Sequence, residues 1–206
     1  MDFNIFTSTI KNRITNLNPE AHQLMSPFKI KNRNELLHSN PNPRIGGVMI
    51  MIFNKNEQAH FALIKRPVYE GVHSGQIAFP GGSQDPEDEN IEATAMRELE
   101  EEVGISSDHL EIIGQLSQIY IPPSKFLVTP VVGILSEKPR FKKDDFEVDE
   151  IIEVPVSVLF DDQIIKHGNI QTPSNYKIQS PYFDIFGHQV WGATAIILSE
   201  FKSIMK

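Results

Sequence analysis

Between Asp85 and Glu102 the chain carries nine carboxylates and one arginine, Arg97. Neighbouring like charges destabilise a helix, so this segment needs solvent or a cation. If Asn90–Val103 is helical, about 3.6 residues per turn gathers Ala95, Met96, Leu99 and Val103 into one apolar sector. Glu98, Glu101 and Glu102 fall in the adjoining sector, where steps of three and four make side chains neighbours. A divalent cation would relieve their repulsion by taking hard oxygen ligands. The helix dipole accounts for Asp85, Glu87, Asp88, Glu89 and Glu92 near the helix start, and disfavours the acids of the last turns. From spacing alone, a solvated acidic face competes evenly with a metal site. Pro80-Gly81-Gly82, after the apolar Ile77-Ala78-Phe79, tips the balance, because glycines let backbone groups come close to a ligand. A rigid glycine turn beside three carboxylates reads as a diphosphate–metal site.

The elements around this segment follow from periodicity. Residues 3–16 predict an amphipathic helix, with Phe6, Ile10 and Ile14 on one face. Gly47–Asn54 is almost wholly apolar, as a strand buried on both faces should be. A turn over Asn54–Gln58 leads to a second strand, His60–Arg66. Gly104 closes the acidic helix at the usual C-terminal glycine position. Residues 111–119 and 125–135 predict two strands, 147–160 a strand or short helix, 182–192 a hairpin around Phe186–Gly187, and 193–205 a final amphipathic helix. Trp191 is expected in the core beneath that helix. Neither a repeat nor a linker interrupts the chain, so residues 1–206 read as one mixed α/β domain, with a helical N-terminal extension over 1–40.

Composition narrows the function. The 206 residues contain no cysteine, which removes disulfides, thiolate metal sites and a thiol nucleophile, and suits a reducing, cytoplasmic setting. The N-terminus lacks the basic-then-apolar pattern of a secretory signal. No apolar stretch is long enough for a membrane helix. A net charge of −8 without a broad basic patch argues against nucleic-acid backbones as partners. A small anionic substrate stays open, since a divalent metal inverts the local field.

Arg97–Ile105, RELEEEVGI, matches the second half of G-x5-E-x7-R-E-U-x-E-E-x-G-U at every specified position. This loop–helix signature is the Nudix box, and the chain resembles the Nudix hydrolases over about 82–105. In the first half, either Asp88 keeps the spacing from Gly82 or Glu89 keeps the spacing to Arg97. The longer loop resembles the coenzyme A diphosphatase branch, as does Lys65–Gly82, KRPVYEGVHSGQIAFPGG, with Arg66, His73, Gly75 and Phe79 in matching places and Gly71 at a basic position. Thr94-Ala95, TPVVGIL, VWGATAIIL and NPEAHQLMSP are also similar to that branch.

The resemblance implies an α/β/α sandwich with a mixed sheet, dependence on Mg²⁺ or Mn²⁺, and a superfamily in which homodimers are common. It implies cleavage of coenzyme A to 4′-phosphopantetheine and 3′,5′-ADP; other Nudix substrates include ADP-ribose, dinucleotides and damaged nucleotides. Glu98 and Glu102 are the expected principal metal ligands, Glu101 a supporting one, and the Gly82 carbonyl a further one by carry-over from the family. Arg97 is expected to pair with Asp88, Glu89 or Glu101 and so orient the loop. The general base is open among Glu98, Glu101 and the acids Glu147, Asp149, Glu150 and Glu153, with Glu150 chosen by its match to the branch. Lys65 and Arg66 are expected to meet substrate phosphates, Gly81 and Gly82 to approach the diphosphate, and His73 with Tyr69 to line the pocket.

Overall fold

The computed structural model describes residues 1–29, 32–69, 74–172 and 176–206. Five α-helices occur among them: α1 (Phe3–Arg13), α2 (His22–Met25), α3 (Arg33–Leu37), α4 (Ile91–Val103) and α5 (Gly192–Ile204). The strands of the larger sheet are β1 (Arg44–Lys55), β2 (Gln58–Lys65), β3 (Ile77–Ala78), β4 (Gly81–Ser83), β5 (Leu110–Gln115), β6 (Ile119–Ile121), β7 (Phe126–Leu135) and β8 (Glu150–Pro155). A smaller antiparallel sheet contains β9 (Ile165–Gln171), β10 (Lys177–Ile185) and β11 (His188–Val190).

The larger sheet runs β3-β2-β1-β7-β5, with β4 also on β1, β6 on β7 and β8 on β2. β1 and β7 are parallel and every other recorded pair is antiparallel, so the sheet is mixed. Side chains alternate across β1, and the apolar run buries both sets. Met49, Met51 and Phe53 pack with Ala95, Leu99 and Val103 of α4. Ile50 and Ile52 pack with Phe6 and Ile10 of α1 and Leu198 of α5. Helices therefore cover both faces, the α/β/α sandwich that the sequence resemblance implies. The first helix is part of this core, since Phe6 and Ile10 are fully buried.

The structure departs from the sequence reading in identifiable places. The strand expected over 111–119 is divided into β5 and β6, both antiparallel to β7. Its ladder shifts between Ile112 and Gly114, and Ser117, between the two strands, turns instead to Glu200 of α5. Gly81-Gly82 is strand rather than free turn, with Gly82 opposite Gly47. The polar sequence of β9, IKHGNIQ, carries little strand signal, and pairing with β10 supplies its order. Trp191 is only half-buried and stands at the start of α5 rather than beneath it.

Glu200 ties the N-terminal segment to the sandwich. Its fully buried carboxylate accepts from the Asn18 N–H at 3.1 Å and from the Ser117 hydroxyl and N–H at 2.7 and 3.1 Å. His22 Nε2 lies 2.9 Å from Oε2, the oxygen that the Ser117 N–H also reaches. Burial pushes this carboxyl up, but hydrogen bonds from His22 and Ser117 outweigh burial and hold it below its ordinary value of 4.5. A lowered carboxyl stabilises the fold above that value and loses its contribution as pH falls through the folded value. Replacing Glu200 by Ala should cost about 3–5 kcal/mol at pH 7, because the surrounding polar groups lose their partner. Guanidinium denaturation should show this deficit narrowing as the pH falls below 4.5 and through the folded value of the carboxyl.

Candidate active site

Helix α4 is set by its ends and its apolar face. Asn90 caps it, its side chain accepting from the Ala93 N–H at 2.9 Å. Gly104 ends it at φ 71°, its N–H donating to the Glu100 carbonyl. Ala95, Leu99 and Val103 are fully buried and fix the rotation of the helix. Glu98 and Glu102, one turn apart, are thereby held against the glycines of β4.

Glu102 is only 1% exposed. Its Oε2 accepts from the Gly81 N–H at 2.8 Å. Its Oε1 has no hydrogen bond, although Arg66 Nη2 stands 3.2 Å away as a misaligned ion pair. That same nitrogen donates to the Gly81 carbonyl at 2.8 Å. Arg66, Gly81 and Glu102 thus form a closed ring. Burial pushes the Glu102 carboxyl up to about 7, with Arg66 and the Gly81 N–H opposing.

Glu98 lies directly against Gly82. A Cβ on Gly82 would stand 2.4–2.5 Å from the three carboxylate atoms of Glu98, so glycine is required for this approach. Gly81, at φ 153°, would carry a Cβ into the Gly47 carbonyl at 2.4 Å. Burial raises the Glu98 carboxyl, against the pull of Arg97 and with the help of Glu101 and Glu147.

Arg97 spends its fork of donors on the acidic loop. Nε and Nη2 each reach an Asp88 oxygen at 3.0 Å, and Nη2 also donates to the Ser83 carbonyl at 2.9 Å. Nη1 donates to Glu98 at 2.9 Å and Glu101 at 3.0 Å. The bidentate Arg97 contact drives the Asp88 carboxyl far below the usual carboxylate range. Of the two acids that spacing left open, Asp88 and Glu89, Asp88 takes the arginine.

The remaining candidates are distributed around this pair. Glu101 is exposed, and its recorded link to the site is the shared nitrogen of Arg97. Lys65 is paired with Asp149. Arg66 is engaged through Nη2 by Gly81 and Glu102. Glu150 lies opposite Lys65 in the strand register and 3.8 Å from His188, while Glu153 pairs with Lys55 at 3.1 Å. Glu147, named in the sequence only as one of several acids, is the one from this segment whose charge bears on both Glu98 and Glu102. Tyr69 is half-exposed, and His73 lies outside the described residues.

The donor chemistry suits a hard cation. One buried oxygen of Glu102 lacks a hydrogen bond, and burial makes ionisation of Glu98 and Glu102 unfavourable without added positive charge. Among the described residues no three acidic or histidine side chains converge tightly enough to enclose an ion alone. Of the three acids expected to gather, Glu98 and Glu102 lie against the glycines of β4 and Glu101 stands in solvent.

A profile of the NUDIX domain matches residues 43–170, more than half of the chain. The chain belongs to the Nudix family. Among its relatives, the Nudix hydrolase NudL of Photorhabdus laumondii is 34% identical over 160 residues, 77% of this chain and 83% of the relative. NudL of Salmonella newport is 32% identical over 184 residues, 87% and 91% of the two chains. Solved structures share the fold at low identity. The NUDIX domain of Shewanella oneidensis NrtR, crystallised with ADP ribose, gives a TM-score of 0.55 at 13% identity, covering 86% of this chain and 100% of that one. RenU of M. smegmatis, a Nudix hydrolase, gives 0.56 at 14%, covering 79% and 85%. The chain is thus a Nudix hydrolase of the pyrophosphatase type, and enzymes of this family generally use divalent metals such as Mg²⁺ or Mn²⁺.

Two outcomes follow for this Nudix hydrolase. Gly82→Ala should displace the Glu98 carboxylate, leave the thermal midpoint within a few degrees, and lower diphosphate turnover about 100-fold. A raised carboxyl favours the fold below its unfolded value of 4.5, and that advantage is lost as pH rises through about 7. In chelator-treated protein, Glu102→Gln should therefore raise unfolding free energy by roughly 1–3 kcal/mol at pH 8, with little change near pH 4.5. Urea denaturation at the two pH values measures this.

Proposed function

We propose that this chain cleaves the diphosphate of coenzyme A or acyl-CoA, releasing 3′,5′-ADP and (acyl-)4′-phosphopantetheine. The observation that carries the hydrolytic reading is the pair of desolvated carboxylates, Glu98 and Glu102, seated on Gly81-Gly82. Coenzyme A is favoured by the likeness of Lys65–Gly82 to that branch, supported by the segments around Thr94, Thr129 and Trp191.

Glu98, Glu102 and the Gly82 carbonyl would hold Mg²⁺ or Mn²⁺, with Glu101 in support. The metal would neutralise charge on the diphosphate and on the leaving oxygen. Arg97 keeps Glu98 and Glu101 in place by clamping them to Asp88 and Ser83. Arg66 fixes Glu102 against Gly81 and so positions the carboxylate. Water must lose a proton as it attacks, and the accepting group must reach it directly or through one other water. Two acids of this segment compete for that role: Glu150, which matches the branch and faces Lys65 and His188, and Glu147, whose negative charge adds to the environment of Glu98 and Glu102.

A hydrolysis panel with product identification tests the reading. Coenzyme A should be cleaved faster than ADP-ribose or dinucleotides, only with Mg²⁺ or Mn²⁺. Faster cleavage of ADP-ribose would replace coenzyme A as the substrate, and nucleotide binding without any product would make the protein a binding module. Glu98→Gln and Glu102→Gln should each lower kcat by about 1000-fold while the protein remains folded. Of Glu147→Gln and Glu150→Gln, the variant at the base should lose the acid limb of the pH–rate profile, and the other should keep it.

A further inference from the structure

Two glycines near the start of β1 serve opposite faces of the sheet. A Cβ on Gly47 would stand 2.9 Å from the Ile91 carbonyl oxygen and 3.3 Å from the Ala95 nitrogen, so this residue admits α4. Side chains alternate along a strand, which turns Gly46 and Arg44 away from α4. A Cβ on Gly46 would stand 2.7 Å from the Gly82 carbonyl oxygen and 3.1 and 3.2 Å from Cδ1 and Cε1 of Phe126. Gly46 therefore leaves a space that has the Gly82 carbonyl on one side and the Phe126 ring on the other.

Arg44 lies on that ring. The parallel register sets Arg44 of β1 beside Phe126 of β7, and the guanidinium carbon stands 4.2 Å from the ring centroid. The backbone is held as well: the Arg44 N–H donates to the Lys125 carbonyl at 2.9 Å. Lys125 itself sits at φ 59°, a left-handed conformation uncommon for a residue with a side chain. The steps from guanidinium to ring, ring to Gly46 and Gly46 to Gly82 are each a close contact. Together they place Arg44 within a nucleotide's length of the Gly82 carbonyl.

Charge supplies the second observation. The chain has a net charge of −8, and Lys65, Arg66 and Arg97 each face a carboxylate. Arg44 does not follow them: among the described residues, the recorded partner of its guanidinium is the face of Phe126. Stacking occupies the flat face of the group and leaves its edge, a fork of N–H donors, open to an anion. Lys125, exposed on the adjoining turn, adds a second positive charge. Phosphate is the anion this fork fits, because two of its oxygens can accept in parallel.

We propose that Arg44 is a specificity-determining residue that binds a phosphate monoester of the substrate lying outside the diphosphate that is cleaved. In coenzyme A that group is the 3′-phosphate. The inference rests on the coenzyme A reading above and adds how coenzyme A is told from diphosphates without such a group.

The test uses the full chain as wild type, Arg44→Gln and Arg44→Lys, with coenzyme A and 3′-dephospho-coenzyme A as substrates. Arg44 is exposed, so neither change reaches the core. The ratio of kcat/KM for coenzyme A over the dephospho form should fall about 10- to 100-fold in Arg44→Gln, and Arg44→Lys should keep part of it. Calorimetric binding to metal-free protein gives a second reading. Wild type should bind 3′,5′-ADP more tightly than 5′-AMP, and Arg44→Gln should remove the difference. A ratio in Arg44→Gln within twofold of wild type overturns the proposal, including the case in which both substrates lose equally. Absence of the 3′,5′-ADP preference in wild type overturns it as well. Failure of wild type to hydrolyse any diphosphate refutes the hydrolase reading separately, because the binding comparison needs no turnover.

Discussion

The site depends on one constraint: Glu98 and Glu102, a turn apart on α4, close onto two consecutive glycines of β4. Ionised carboxylates resist burial, and burial here raises both. What holds them is packing elsewhere. Ala95, Leu99 and Val103 sink into the sheet and leave the helix no freedom to rotate the acids into solvent. Pairing of β4 with β1 brings the glycines to meet them. The sandwich therefore supplies the energy, and the acidic face uses it to keep charge where water would otherwise draw it away.

Two arginines divide the work of balancing that charge. Arg97 draws Asp88, Glu98, Glu101 and the Ser83 carbonyl into one network that cross-links the loop before α4 to the later turns of the helix. Arg66 reaches from the end of β2 to Gly81 and Glu102. Neither closes the hydrogen-bonding needs of the buried Glu102 oxygen. A carboxylate left in that state is poorly arranged for stability and well arranged to accept a cation, the trade-off expected where function opposes folding.

Much of this was legible in the sequence. The apolar pattern of β1, the apolar stripe of α4, the glycine after it and the spacing of Glu98 and Glu102 are local features with local physical reasons. Also legible was that the late acids of α4 run against the helix dipole, which set a cation site beside a solvated acidic face as the two readings. Less legible was anything set by distant residues. Which of Asp88 and Glu89 meets Arg97 depends on how the preceding loop folds back. The occupation of Arg66 and Lys65 depends on α4 and on Asp149, far along the chain. The segment between β5 and β6 meets Glu200, more than eighty residues away. The nearness of the 144–147 turn to α4 was hidden for the same reason, since backbone hydrogen bonds from Lys142 and Asp144 to the end of α4 leave no mark on composition.

The most direct measurement of the central claim is Mn²⁺ binding to the substrate-free protein, followed by electron paramagnetic resonance. The account predicts a bound ion in wild type, marked loss of affinity in Glu98→Gln and Glu102→Gln, and a smaller loss in Glu101→Gln, whose side chain stands in solvent. Undiminished Mn²⁺ affinity in both Glu98→Gln and Glu102→Gln would contradict it.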